Sequence, residues 1–186
     1  MRTVSSMDEG RPDGVGRWTV RTIETDADGT PAPEKQAGHV LGPYGGVYLA
    51  WSRSVKDTDP DGPARLYVFD PPLIWFPAAI EPGTVFEDSA QMTERDPEDE
   101  SRVALRGRAL RRVAIVDQDA PGWPFEDAGW GVAAELRVRV GPAEAVRRTT
   151  TRMDGPREEF VAYSVRVLGV PITRERWILR GDPAED

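Results

Sequence analysis

Apolar and polar residues alternate along most of this chain. The pattern is clearest from Arg102 to Asp117, where odd positions such as Val103, Val113 and Ile115 are apolar and several even positions are arginine. Successive side chains of a β-strand point to opposite faces of a sheet, so this alternation predicts a strand with one buried and one wet face. The same pattern recurs elsewhere, and no apolar pattern with helical spacing extends beyond about two turns.

The alternating stretches predict an all-β protein with one antiparallel domain. The predicted strands are Trp18–Ile23, Val47–Val55, Ala64–Phe69, Thr84–Thr93, Arg102–Asp117, Val132–Val140, Ala145–Met153, Val161–Val167 and a last strand around Trp177 and Leu179. We therefore predict a barrel or curved half-barrel of eight or nine strands over residues 17–180, with less than about 15% helix. Residues 1–16 and 181–186 are predicted to be disordered tails.

The most unusual stretch is Tyr67–Gly83, in which a strand pattern continues into an apolar segment interrupted by four prolines. Proline has no amide hydrogen, so we predict an extended crossing between sheet regions and not a central strand. Its four consecutive large apolar side chains, Leu73, Ile74, Trp75 and Phe76, must be covered by the core or by a ligand.

Composition excludes several classes of function. The chain has 186 residues, which favours a single domain, and it has no cysteine, which excludes thiolate nucleophiles and zinc–thiolate sites. The net charge is −8, with 19 acidic and 9 basic residues at positions 1–100 and 13 acidic and 15 basic residues at positions 101–186. An acidic protein repels phosphate backbones, so we expect no nucleic-acid partner.

The first residues show no sign of a targeting segment. Positions 1–17 contain no apolar run of the kind found in signal peptides, and no stretch of about 18 apolar residues occurs anywhere. We therefore expect no secretory leader, no membrane span and a cytoplasmic location.

The sequence contains a partial calcium-binding motif and a single histidine, and neither is sufficient to define a metal or catalytic site. Asp57–Gly62 resembles the start of a calcium-binding loop, but the twelfth position is Val68, where such a loop needs a bidentate glutamate. A turn is the simpler interpretation.

His39 is the only histidine, and no nucleophile motif accompanies it, so we expect a solvated residue near a loop. We therefore expect no metal and no cofactor, and no catalytic residue can be assigned.

Arg111 and Glu175 stand out because each falls on the face of its strand that otherwise carries apolar residues. A lone buried charge is costly, so the two could pair with each other or contact a ligand. Alternatively, a β-bulge near Gly107 or Pro171 turns one of them outward, and we favour this second interpretation.

From Gly46 onward the order of elements resembles a group of poorly characterised bacterial proteins, many of them exported, that are related to lipoprotein-carrier half-barrels of the LolA/LppX type. The matching pieces are GVYLAWS, FDPPLIWFPAAIEPG, the long strands, a threonine-rich strand and GVP before ERW, and they span about three quarters of the chain. The resemblance implies a curved antiparallel sheet that holds a lipid or another apolar molecule. Because the sequence contains no cysteine that could be lipidated and we expect no leader, we do not expect the export and membrane shuttling of that group.

We predict that the protein binds an apolar small molecule without catalysing a reaction, and the pattern also allows a homodimer. The predicted ligand contacts are the large side chains of the crossing together with charged and aromatic residues on apolar strand faces: Leu73, Trp75, Phe76, Arg111, Tyr163, Glu175 and Trp177. Two other classes stay open. One is a barrel-type cyclase or isomerase of bacterial natural-product biosynthesis, in which enforced substrate geometry carries much of the rate, and the other is a protein interaction module.

Overall fold

The computed structural model describes residues 2–8, 16–25, 35–42, 45–54, 63–154 and 158–180. Within these ranges eleven strands occur and no helix. The strands are β1 (Arg2–Asp8), β2 (Arg17–Thr25), β3 (Lys35–Leu41), β4 (Val47–Ser54), β5 (Arg65–Phe76), β6 (Val85–Arg95), β7 (Val103–Asp117), β8 (Trp130–Val140), β9 (Ala143–Arg152), β10 (Glu158–Val167) and β11 (Val170–Arg180). Each strand pairs antiparallel with its neighbours in sequence, which gives one sheet in the order β1 to β11.

The prediction of an all-β fold with little helix is confirmed, but the residues that the structure describes form eleven strands and not eight or nine. Since the described residues form no helix, they contain none that is able to cross a membrane. β1 occupies part of the stretch 1–16 for which the sequence predicts a disordered tail. Residues 181–186, the other predicted tail, lie outside the described residues.

β3 has no counterpart among the predicted strands because its sequence, KQAGHVL, lacks a regular apolar alternation. Its glycine, Gly38, pairs with Trp51 of β4. A side chain at Gly38 would collide with the indole of Trp51. Gly38 therefore lies within a strand and leaves room for the indole ring of Trp51 on the neighbouring strand. In the sequence, the same glycine suggests a loop.

β5 contains the first part of the proline-rich segment, up to Phe76. The prediction that this segment is not a central strand is therefore wrong. β5 lies between β4 and β6. Its ladder to β6 stops at Asp70, and its ladder to β4 skips from Val68 to Leu73. Pro71 and Pro72 lie in the skipped stretch, where neither ladder requires an amide donor.

Side chains from different strands pack together on one face of the sheet, which is called the inner face below. Two apolar clusters lie on this face, Leu49, Phe69, Leu73, Ala90, Met92 and Ala109 in the first and Ile74, Val113, Ile115, Val132 and Ala134 in the second. β5 thus contacts β7, which is not its neighbour in the sheet, and such a contact requires a strongly curved sheet. Cα atoms of β1 and β11 approach within 8 Å, but no ladder joins these strands among the described residues. The sheet is therefore an unclosed half-barrel.

Candidate ligand-binding site

A row of mostly polar residues crosses the inner face from β6 to β11. The antiparallel registers place Asp88, Arg111, Leu136, Arg147, Tyr163 and Glu175 directly opposite one another on consecutive strands. Residues directly opposite each other lie on the same face of a sheet. Leu136 packs against the first apolar cluster, so the whole row belongs to the inner face. Three predicted ligand contacts, Arg111, Tyr163 and Glu175, thus share one row.

Arg111 is buried, with 6% of its surface exposed. The favoured alternative, a bulge near Gly107 or Pro171, is wrong for this arginine; the β10–β11 register does shift beside Pro171, but Glu175 stays opposite Tyr163 on the row. Gly107 pairs with Met92 of β6 within an unbroken stretch of ladder, and the register shift between these two strands lies beside Glu94. The alternation of β7 therefore continues past the glycine and carries Arg111 into the interior.

The guanidinium of Arg111 is only partly satisfied. Its central carbon lies 4.1 Å from the centroid of the Trp75 ring, which is a cation–π contact. Its Nη2 atom donates a long hydrogen bond of 3.5 Å to the backbone oxygen of Trp75. The buried Nε atom has no hydrogen-bond partner, and no carboxylate forms an ion pair with Arg111 within the part of the chain that the structure describes.

Asp88 faces Arg111 across the β6–β7 pair, but its carboxylate is engaged elsewhere. It accepts a hydrogen bond of 3.1 Å from the backbone N–H of Ile74. Ile74 lies beyond Asp70, where β5 has already left its ladder to β6. The carboxylate therefore replaces a missing backbone acceptor, and it forms no ion pair with the neighbouring guanidinium.

Burial, together with the positive charge of Arg147, lowers the pKa of Arg111 to about 10, although the negative charge of Glu159 acts in the opposite sense. Arg111 is therefore still a cation at neutral pH. Arg147 lies on the same row but is exposed, and Tyr163 beyond it is half-buried. The row thus leads from solvent at β9 to a buried positive charge at β7.

His39 lies against the edge of the Trp75 ring, with the two ring centroids 5.4 Å apart and the planes at 65°. It is 5% exposed, so the expectation of a solvated histidine is wrong. Burial lowers the pKa of His39, and the charge of Arg111 lowers it further against the opposing effect of a hydrogen bond with the backbone of Ala37. His39 is therefore neutral at pH 7. The sequence did not predict the burial of His39 because β3 lacks the apolar alternation of a strand.

The residues of the crossing differ in what they can offer a ligand. Leu73 has 0% exposure within the first apolar cluster, so its surface is used entirely in packing. Phe76 is half-buried against the second cluster. Trp75 keeps 39% of its surface exposed beside Arg111, and it is the crossing residue best placed to contact a ligand. The backbone of Trp177 pairs with Val161, whereas its side chain lies outside the described part.

Comparison of the chain with models of protein families, with curated proteins and with solved structures found no match. The function therefore has to be inferred from the geometry of the inner face. The stretch Asp57–Gly62, with its partial calcium motif, lies outside the described residues. Among those that are described, no three histidine or acidic side chains are grouped so that they could hold a metal ion.

Proposed function

We propose that the protein binds an apolar small molecule that carries one acidic group, such as a fatty acid, on the inner face of its sheet. The observation that carries this proposal is the buried Arg111, a cation whose Nε atom lacks an acceptor among the described residues. The acidic group of the ligand would supply the missing counter-charge, and the exposed part of Trp75 would contact the apolar chain.

The energetics of a buried guanidinium favour an anionic partner. Removing an ion from water costs several kcal/mol unless it is paired and fully hydrogen-bonded. The cation–π contact with Trp75 contributes about 0.5–2 kcal/mol and supplies no acceptor for Nε. A carboxylate can accept two parallel hydrogen bonds from Nε and one Nη atom of an arginine, which is the strongest neutralising geometry available.

The path to this charge is also basic. Arg147 is exposed on the same row, where it can attract an anion from solvent towards the interior. The side chains of Trp75 and Phe76, which are not fully covered, offer aromatic surface beside Arg111. Large aromatic rings with a few polar anchors are typical of sites for small molecules.

Titration of the full chain with oleate and with methyl oleate tests the proposal, because these probes differ only in the acidic group. We expect oleate to bind about tenfold or more tightly than its ester, since a charge-assisted hydrogen bond contributes about 1.5–3 kcal/mol. Arg111→Gln should lose this preference. Arg112→Gln is the matched control, because the neighbouring arginine is exposed on the opposite face and should keep the preference.

Urea unfolding of both variants establishes that the fold is retained. If Arg111→Gln does not fold cooperatively, Trp75→Phe provides the second variant, because it keeps a ring under the guanidinium and should reduce the affinity for both probes. Binding of neither probe, or equal binding of oleate and its ester by the wild type, would show that the proposal is wrong.

A further inference from the structure

The turn between β10 and β11 exposes a group of large apolar side chains. Leu168 is 81% exposed, Ile172 64% and Val170 59%. A single exposed apolar residue is ordinary, but three within five positions form a continuous apolar tip. Nothing on the sheet covers this tip among the described residues.

The backbone of the turn does not favour a leucine. Val167 pairs with Val170, so Leu168 and Gly169 form a two-residue turn, and both have positive φ, 52° and 81°. Turns of this kind favour asparagine or aspartate followed by glycine, whereas a bulky residue at positive φ is strained. Neither burial nor turn geometry therefore explains Leu168, which points to a role for its side chain.

Beside this tip, on the outer face of β9–β11, lies a groove with a cavity volume of about 110 Å³. It is lined by four arginines and one acidic residue, together with smaller and apolar side chains: Arg148, Arg166, Arg174, Arg176, Glu175, Val146, Ala162, Tyr163 and Ser164. Arg148 is bound to Glu135 at 2.6 Å. The other three arginines form no ion pair within the described ranges, so the groove keeps a net positive charge even with Glu175 in its lining, in a protein with a net charge of −8.

We propose that the β10–β11 hairpin docks on an anionic lipid surface, with the apolar tip at the boundary of the acyl chains and the arginines of the groove on lipid phosphates. Guanidinium groups bind phosphate oxygens in a bidentate manner. Apolar side chains next to basic residues are the combination that holds a protein at a membrane interface. This inference does not depend on the proposed ligand, because neither the hairpin tip nor the lining of the groove includes Arg111 or Trp75.

The acidic turn between β6 and β7, with Asp96 and Asp99, opposes this contact. In a meander the β6–β7 and β10–β11 turns lie at the same end of the sheet, but they are four strand spacings apart, about 19 Å. At physiological salt the Debye length is about 8 Å, so the acidic turn acts only weakly on lipids at the groove. The apolar tip then adds to the attraction between the arginines of the groove and the lipid surface.

Co-sedimentation of the full chain with lipid vesicles tests the docking. The wild type should sediment with vesicles of phosphatidylcholine and phosphatidylglycerol and stay in solution with phosphatidylcholine alone. The combined variant Arg166→Gln, Arg174→Gln and Arg176→Gln should weaken binding about tenfold or more, since each basic residue near such a surface contributes about a factor of five. The matched control removes three exposed arginines of β7 instead, Arg106, Arg108 and Arg112, and should bind nearly as the wild type does.

Leu168→Asn separates the role of the tip from the stability of the turn. Asparagine suits positive φ, so the variant should be at least as stable as the wild type and yet bind vesicles several-fold more weakly. Arg111→Gln should leave vesicle binding unchanged, which keeps this test distinct from that of the proposed ligand.

Three results would overturn the proposal: no sedimentation with anionic vesicles, an equal loss in the β7 control, or unchanged binding by Leu168→Asn. Titration with inorganic phosphate tests whether the groove binds a free phosphate ion and not the phosphates of a lipid surface. If phosphate binds the wild type and not the groove variant while vesicles are ignored, the groove is a site for a small anion and the docking is wrong.

Discussion

The inner face of the sheet differs between its two halves. On β7 and β8 most inner positions other than Arg111 are apolar and covered, and Ala109 and Val113 have 0% exposure. On β9–β11 the inner positions include exposed charged residues such as Arg147 and Glu175, and the fully buried Val161 is an exception there. The first half thus provides the packing that holds the fold, whereas the second provides polar groups that are available for interactions. The row that contains Arg111 crosses the boundary between the two.

The largest expected effect concerns packing in the first half. Leu73→Ala should reduce the free energy of unfolding by about 2–5 kcal/mol, because a fully buried leucine leaves a cavity when it is truncated. Ile172→Ala, on β11 in the second half, should cost less than about 0.5 kcal/mol because its side chain is 64% exposed. Urea unfolding of both variants measures the difference. Similar losses would show that the two halves are equally important for stability.

The contrast explains how much of the molecule can be predicted from the sequence. The alternation predicts the buried side chains of β7 from Ala109 to Ile115 and places Arg111 on the apolar face, but Leu105 on the same face is 37% exposed. The contacts of Trp75 with Arg111 and with His39 could not be predicted, since together they join β3, β5 and β7. That contact depends on the curvature of the sheet and on the register skip at Pro71, and neither leaves a local signal in the sequence.

A smaller effect is expected from Tyr67, a polar residue that packs against the apolar first half. Burial raises the pKa of Tyr67 to about 12, with further contributions from Glu94 and Tyr163 and an opposing one from Arg65. An unfolded tyrosine loses its proton near pH 10. Between about pH 10 and pH 12 the unfolded state therefore binds fewer protons than the folded state, and stability falls as the pH rises.

The loss should be about 1–2 kcal/mol once the partial exposure of the ring is taken into account. It is measured as the difference in urea midpoints between about pH 9 and pH 11.5, compared with Tyr67→Phe, which has no proton to lose. Other groups that titrate in this range, such as Arg111, contribute to both proteins and cancel. The same decline in Tyr67→Phe would mean that Tyr67 is not the group responsible.

The smallest expected effect tests whether charges on the outer face also hold the two halves together. Glu135 on β8 accepts a hydrogen bond of 2.6 Å from Nε of Arg148 on β9, directly across the boundary. Burial of Glu135 disfavours its charged form, but hydrogen bonds and charges from Arg148 and Arg137 outweigh this effect and lower the pKa of Glu135. The pair therefore stabilises the fold above the unfolded pKa of about 4.3, and this contribution is lost as the pH falls through the folded pKa.

Since the Arg148 side chain is 60% exposed, Glu135→Gln should cost no more than about 1 kcal/mol at pH 7, and added salt should reduce the difference. Glu126→Gln is the matched control, because it removes the same charge from an exposed residue that has no ion pair among the described residues. Urea unfolding at pH 7, with and without salt, and again at about pH 3.5 measures the effect. A cost of several kcal/mol that persists in salt would mean that the boundary depends on this outer ion pair as much as on the inner core, and the contrast between the two halves would then be wrong.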